Sequence, residues 1–118
     1  MSLKETNPPR ETQRVMRISD LPSSRRPARF LISNQGGETQ TVVLSKRRRQ
    51  IIELLMRGPV YCASPVRISD IVSVLKHETC IDIHTEFYAG DRDIGAGDYG
   101  VYFLRSTVCR IDDVEAAA

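Results

Sequence analysis

The stretch from Ser45 to Pro59 constrains the fold most, because it carries a helix together with its start and its stop. Ser45 is a good N-cap, offering its hydroxyl to free backbone N–H groups. Lys46 to Arg57 then brings Ile51, Ile52, Leu54 and Leu55 to one apolar side, with Leu44 and Met56 near the ends. Gly58 supplies a C′ stop, and Pro59 forbids continuation. A second helix is predicted over Pro65–Glu78. Ser64 would be its N-cap and Pro65 its first residue, where the missing N–H costs nothing. Ile68, Ile71, Val72 and Leu75 form its apolar stripe, opposite Arg67, Ser69, Asp70, Ser73, Lys76 and His77.

Around these helices the pattern turns to strands. Arg29–Ser33 and Gln40–Leu44 read as a hairpin about the turn residues Asn34–Glu38. Two strands alone are marginal in water, so the hairpin must pack on something. Val60–Ala63 is a brief strand or an abbreviated helix. Ile81, Ile83, Thr85 and Phe87 alternate with Asp82, His84, Glu86 and Tyr88, the period of a half-buried strand. Gly90–Asp98 is a glycine-rich loop and Tyr99–Leu104 the returning strand. Arg105–Val114 adds a further strand or short helix, and 115–118 frays. Residues 1–28 read as a flexible basic arm, with Pro8, Pro9, Pro22 and Pro27 and few apolar residues to offset the entropy of ordering.

Charge divides the chain. Residues 1–57 hold twelve Lys and Arg against five Asp and Glu, whereas 58–118 hold five against ten, so a net charge of +2 conceals a basic front half. Such a footprint suits a polyanion partner. Aromatic content is 6% with no Trp, which leaves few stacking platforms for single strands. Cys62, Cys80 and Cys109 form no CxxC pair, and only His77 and His84 could join them, which falls short of a zinc motif. An odd cysteine count with no secretory signal points to reduced thiols and a cytoplasmic location. No run approaches a membrane span.

Helix, connector, helix, strand, loop, strand is the layout of a winged helix. Arg48-Arg49-Gln50-Ile51-Ile52-Glu53-Leu54-Leu55, Arg67-Ile68-Ser69-Asp70, Leu75-Lys76-His77-Glu78, Ile83-His84-Thr85-Glu86 and Tyr99-Gly100-Val101-Tyr102-Phe103-Leu104 resemble the small winged helix-turn-helix domains of bacterial and phage-related proteins. The expected fold class is therefore α+β, a winged helix with an extra N-terminal hairpin, spanning 29–114 with its core at 44–104. Only 58–64 stands where that family carries its middle helix.

The resemblance implies duplex DNA as partner and a small transcriptional or mobile-element regulator as function. The second helix would enter the major groove, with Arg67 pairing to guanine and Ser69, Ser73, Lys76 and His77 reaching bases or phosphates. Lys46, Arg47, Arg48 and Arg49 oppose the helix dipole at the start of the first helix, which a phosphate partner would explain. Arg25, Arg26 and Arg29 would follow the backbone from the arm. The rival reading is a protein-interaction module, dimeric through the 29–44 hairpin. The nearly neutral second helix and the acidic Asp91, Asp93 and Asp98 of the wing favour it. Asp91-Arg92-Asp93-Ile94-Gly95 holds a fragment of calcium-loop chemistry without the remaining oxygen ligands, so no metal is expected. Cys62 with a histidine lacks a third orienting group, and neither catalysis nor a cofactor is expected.

Overall fold

A computed structural model describes residues 9–62, 66–89 and 99–113. Among the described residues, two α-helices and two three-stranded antiparallel sheets make a mixed α+β architecture. In chain order the elements are β1 (Ala28–Ser33), β2 (Thr39–Leu44), α1 (Lys46–Arg57), β3 (Val60–Tyr61), α2 (Ile68–Thr79), β4 (Ile83–Tyr88), β5 (Tyr99–Leu104) and β6 (Thr107–Asp113). Ser64, Pro65, the Gly90–Asp98 loop with its acidic triplet, and the 115–118 tail lie outside the described residues.

The leading hairpin is β1 with β2, registered from Ala28 opposite Leu44 to Ser33 opposite Thr39. Its packing partners are the helices behind it and a third strand beside it. The segment after β5 is a strand, β6, which pairs with the free edge of β1 and bulges at Arg29/Phe30. β1 is thus central, and its alternate residues Ala28, Phe30 and Ile32 are fully buried. The second sheet has the order β3-β5-β4. β4 and β5 pair from Ile83 opposite Leu104 to Tyr88 opposite Tyr99, and β3 joins the other edge of β5. The β4 alternation holds at Ile83 and then shifts. Thr85 and Phe87 are half-buried while Tyr88 is buried, because its ring stacks on Tyr99 at 5.6 Å. Gly100 permits a close approach: a Cβ there would stand 2.7 Å from Cys62 Sγ.

α1 occupies 46–57 as expected, but its ends work differently. Ser45 makes no side-chain cap bond, and Gly58 is extended (φ 160°) instead of left-handed. The C-terminal carbonyls are met by another segment: Gln13 Nε2 donates to the carbonyls of Leu54 (2.8 Å) and Gly58 (3.1 Å). α2 begins at Ile68, later than the expected Pro65. Arg67 adopts a left-handed backbone (φ 58°), which breaks the helical path before Ile68, and Cys80 (φ 58°) ends the helix after Thr79. Arg67 is therefore the residue before the helix. Ile68, Val72 and Leu75 are buried as the stripe requires. Between the helices the described residues hold a two-residue strand, β3, and no helix.

The largest departure concerns the arm. Residues 9–27 lie along α1 as a strap, with a short 3-10 turn at Ile18–Asp20. Gln13 bridges to Val60, its N–H donating to the Pro59 carbonyl and its carbonyl accepting from the Tyr61 N–H. Gln50 Nε2 donates to the Pro22 carbonyl at 2.7 Å, and the Lys46 N–H to the Arg25 carbonyl at 2.8 Å. Val15 and Leu21 enter the core, at 1% and 6% exposure, so this segment does bury apolar surface. The reading of 1–28 as a separate arm is corrected over 9–27; residues 1–8 lie outside the described part.

Candidate nucleic-acid interface

The basic run 46–49 does not act as a unit. A twelve-residue helix turns each successive side chain by about 100°, so four adjacent cations face four directions. Arg49 points inward and is 4% exposed. Its guanidinium pairs with Glu53 and with Asp113 of β6, both at 3.0 Å, and donates to the Arg26 carbonyl at 2.8 Å. Arg49 is thus a buried tie between α1, the strap and β6, and its expected phosphate role is corrected. Arg48 pairs with Glu78 at 2.7 Å. Arg47 is half-buried and reaches Gln50 Oε1 at 3.4 Å, while Lys46 is exposed with a left-handed backbone (φ 53°).

The remaining expected contacts divide in the same way. Arg29 forms a two-pronged pair with Asp112 (Nε to Oδ1 2.7 Å, Nη2 to Oδ2 2.5 Å). That hydrogen bond holds the Asp112 carboxyl below its usual range and raises the guanidinium. Arg29 is therefore engaged on the outer face of the first sheet, away from a free phosphate role. Arg25 and Arg26 are exposed, and their carbonyls hold the start of α1. On α2, Ser69, Ser73, Lys76 and His77 are all exposed on the outward side. Arg67 is highly exposed and pairs loosely with Asp70 at 3.4 Å.

The Arg48–Glu78 pair fixes how these groups relate. It sets the first turn of α1 beside the last turn of α2, near Lys76 and His77. Arg67 stands at the opposite end of α2, about 16 Å away along the axis. Arg67 and the α1 cations thus occupy opposite ends of the α2 face. Among the described residues, Arg25, Arg26, Lys46, Arg47 and Lys76 join no ion pair. They lie around the start of α1 and the end of α2, while the other cations without an ion pair among the described residues stand along the strap (Arg10, Arg14, Arg17), at the end of α1 (Arg57) and after β5 (Arg105).

A second cluster escaped the sequence reading. Tyr61, Tyr88 and Tyr99, three of the four tyrosines, gather where β3, β4 and β5 meet, with Arg14 of the strap 4.7 Å above the Tyr61 ring centre. The residues come from four segments, and no local spacing signals their meeting. Cys62 follows β3, its backbone N–H donating to the Gly100 carbonyl at 2.9 Å, and burial pushes its thiol up from the ordinary 9.0. His84 lies 3.5 Å from Glu86, the carboxylate that also accepts from the Tyr88 hydroxyl. Among the described residues, no helix is long and apolar enough to cross a membrane. Comparison with family models, with curated proteins and with solved structures finds nothing that matches this chain.

Proposed function

We propose that residues 44–104 are a winged helix-turn-helix unit and that the protein is a small cytoplasmic regulator that binds duplex DNA. The order α1, β3, α2, β4, β5 supports the first part: a helix pair followed by an antiparallel ribbon, with β3 joining the ribbon from between the helices. The observation that carries the second is the Arg48–Glu78 pair, which brings unpaired cations of the α1 start and the strap toward the exposed end of α2. α2 would lie in the major groove with Ser69, Ser73, Lys76 and His77 toward the bases. Arg25, Arg26, Lys46 and Arg47 would hold the phosphates. Anisotropy of a labelled duplex at low salt tests the proposal. Binding is expected, and it weakens when Lys46 and Arg47 are replaced together by Asn and Gln; a flat titration overturns it.

A second reading, a protein-interaction module, is favoured by one observation. The β2 edge, Thr39–Leu44, is uncharged, largely exposed and lacks proline, whereas the opposite edge strand β6 carries Arg110, Asp112, Asp113 and a bulge. Unguarded edges pair with other strands. On this reading two copies join β2 to β2. Sedimentation distinguishes it: a dimer that Thr41→Lys with Val43→Lys converts to monomer supports it, and a wild-type monomer at high concentration excludes it.

A further inference from the structure

A cavity of about 370 Å³ opens between the strap and the second sheet, lined by Arg14, Met16, Tyr61 and Tyr99. Its volume lies at the small end of the roughly 300–1,000 Å³ typical of small-molecule sites. The Tyr61 and Tyr99 rings form two walls, 5.6 Å between centres and tilted by 43°. Tyr88 stacks behind Tyr99 at 5.6 Å, nearly parallel at 17°, and its hydroxyl donates to Glu86 Oε2 at 3.0 Å, so the Tyr99 wall is backed by a tethered ring.

Arg14 supplies the charge. Its guanidinium stands over the Tyr61 face, and among the described residues it donates no hydrogen bond and joins no ion pair. The contact with the ring face uses no hydrogen-bond acceptor, so the N–H donors of the guanidinium remain available to an anion. Met16, 59% exposed, adds a soft apolar rim that can adapt to a ring. A contact that merely fastened the strap would need Arg14 on Tyr61. It would not need an open apolar space beside a second, backed ring. Flat aromatic walls next to a preset planar cation match a planar ring that carries an anionic group.

We propose that this cavity binds a nucleotide, with its base against Tyr61 and Tyr99 and its phosphate on Arg14. None of these residues belongs to the duplex interface proposed above, so the two sites fail or succeed separately. The nucleotide has two sources, a free mononucleotide or the 5′-phosphorylated end of a strand, and both offer the same ring and anion.

Isothermal titration of the full chain tests the site with adenosine monophosphate, adenosine and ribose 5-phosphate. The monophosphate is expected to bind one to one, with adenosine and ribose 5-phosphate each at least roughly tenfold weaker, because each lacks one half of the recognition. Arg14→Gln, an exposed change, is expected to weaken the monophosphate by a similar factor and leave adenosine unaltered. Tyr61→Leu is expected to weaken both, with a thermal melt confirming that each variant is folded. A 5′-phosphorylated trinucleotide that binds tighter than the monophosphate assigns the source to strand ends; equal binding assigns it to the free nucleotide. Absence of binding by the monophosphate and the trinucleotide at millimolar concentration overturns the proposal. So does an Arg14→Gln variant that binds the monophosphate as tightly as the wild type.

Discussion

Arg48 of α1 donates to Glu78 of α2 at 2.7 Å, and this contact both joins the two helices and spends a cation that the proposed interface could use. Both side chains are about half exposed (45% and 55%). Such a pair contributes only about 0.5 kcal/mol to stability. Glu78→Gln is therefore expected to leave the urea midpoint nearly unchanged. It releases Arg48 toward phosphate, so duplex affinity at moderate salt should rise by roughly threefold to tenfold. Parallel unfolding and anisotropy titrations check both halves.

Arg49 behaves in the opposite way. Its side chain is 5% exposed, and those of its partners Glu53 and Asp113 are 19% and 44% exposed. Removing one member of a buried pair leaves its partners uncompensated, which costs about 3–5 kcal/mol when all are fully buried. With Asp113 half in solvent, Arg49→Ala should cost about 2–3 kcal/mol in urea unfolding. At temperatures where the variant is folded, duplex binding should match the wild type. Lys46→Asn should show the converse, weaker binding at little cost, since Asn tolerates the left-handed backbone found there.

Gly100 and Cys62 form a coupled pair. A Cβ at residue 100 would sit 2.7 Å from Cys62 Sγ and 3.3 Å from the Phe87 ring. Gly100→Ala is expected to destabilise by about 1–3 kcal/mol, the usual range for overpacking. Cys62→Ala in the same chain removes the closest atom and should recover most of the loss. A double-mutant cycle by chemical denaturation measures that coupling.

The three thiols should separate by reactivity. Cys80 and Cys109 are exposed, whereas Cys62 is half-buried and burial raises its pKa above 9.0. A disulfide reagent at pH 8 should modify two thiols rapidly and the third at least roughly tenfold more slowly. The raised folded pKa also sets the pH response. The contribution of Cys62 is complete below its unfolded pKa and is lost as pH rises through the folded value. Stability should therefore decline above about pH 9. The decline should be shallower in Cys62→Ala, where Tyr102, itself raised by burial, still titrates at higher pH.

Local signals carried the elements, and distant contacts decided the site. The extent of α1 and the strand pair β4–β5 were legible from apolar spacing and from Gly58-Pro59 within a few residues, although Ser45 makes no cap bond and the β4 alternation holds only at Ile83. The start of α2 was not, because the left-handed backbone at Arg67 has no marker as clear as Ser-Pro just before it. β6 mixes Thr107, Cys109 and Arg110 with Val108 and Ile111 and shows no clean face, so its strand depends on pairing with β1. Val15 and Leu21 sit among prolines without periodicity, and their burial rests on Gln13 and Gln50 reaching across to hold the strap. Arg49 looked like its three basic neighbours. Glu53, four residues on, was the one local sign of its pairing; Asp113, sixty-four residues on, could not be seen.

The salt dependence of duplex binding tests the central claim most directly. Arg25, Arg26, Lys46 and Arg47 are exposed or half-buried and join no ion pair among the described residues. Four such phosphate contacts imply that log K falls against log salt with a slope of about −3.6. Replacing Arg25 and Arg26 by Gln should make that slope shallower by about 1.8. Anisotropy of a random-sequence duplex across a salt series gives both numbers. A wild-type chain that binds no duplex at the lowest salt, or a slope that the double replacement leaves unchanged, contradicts the account.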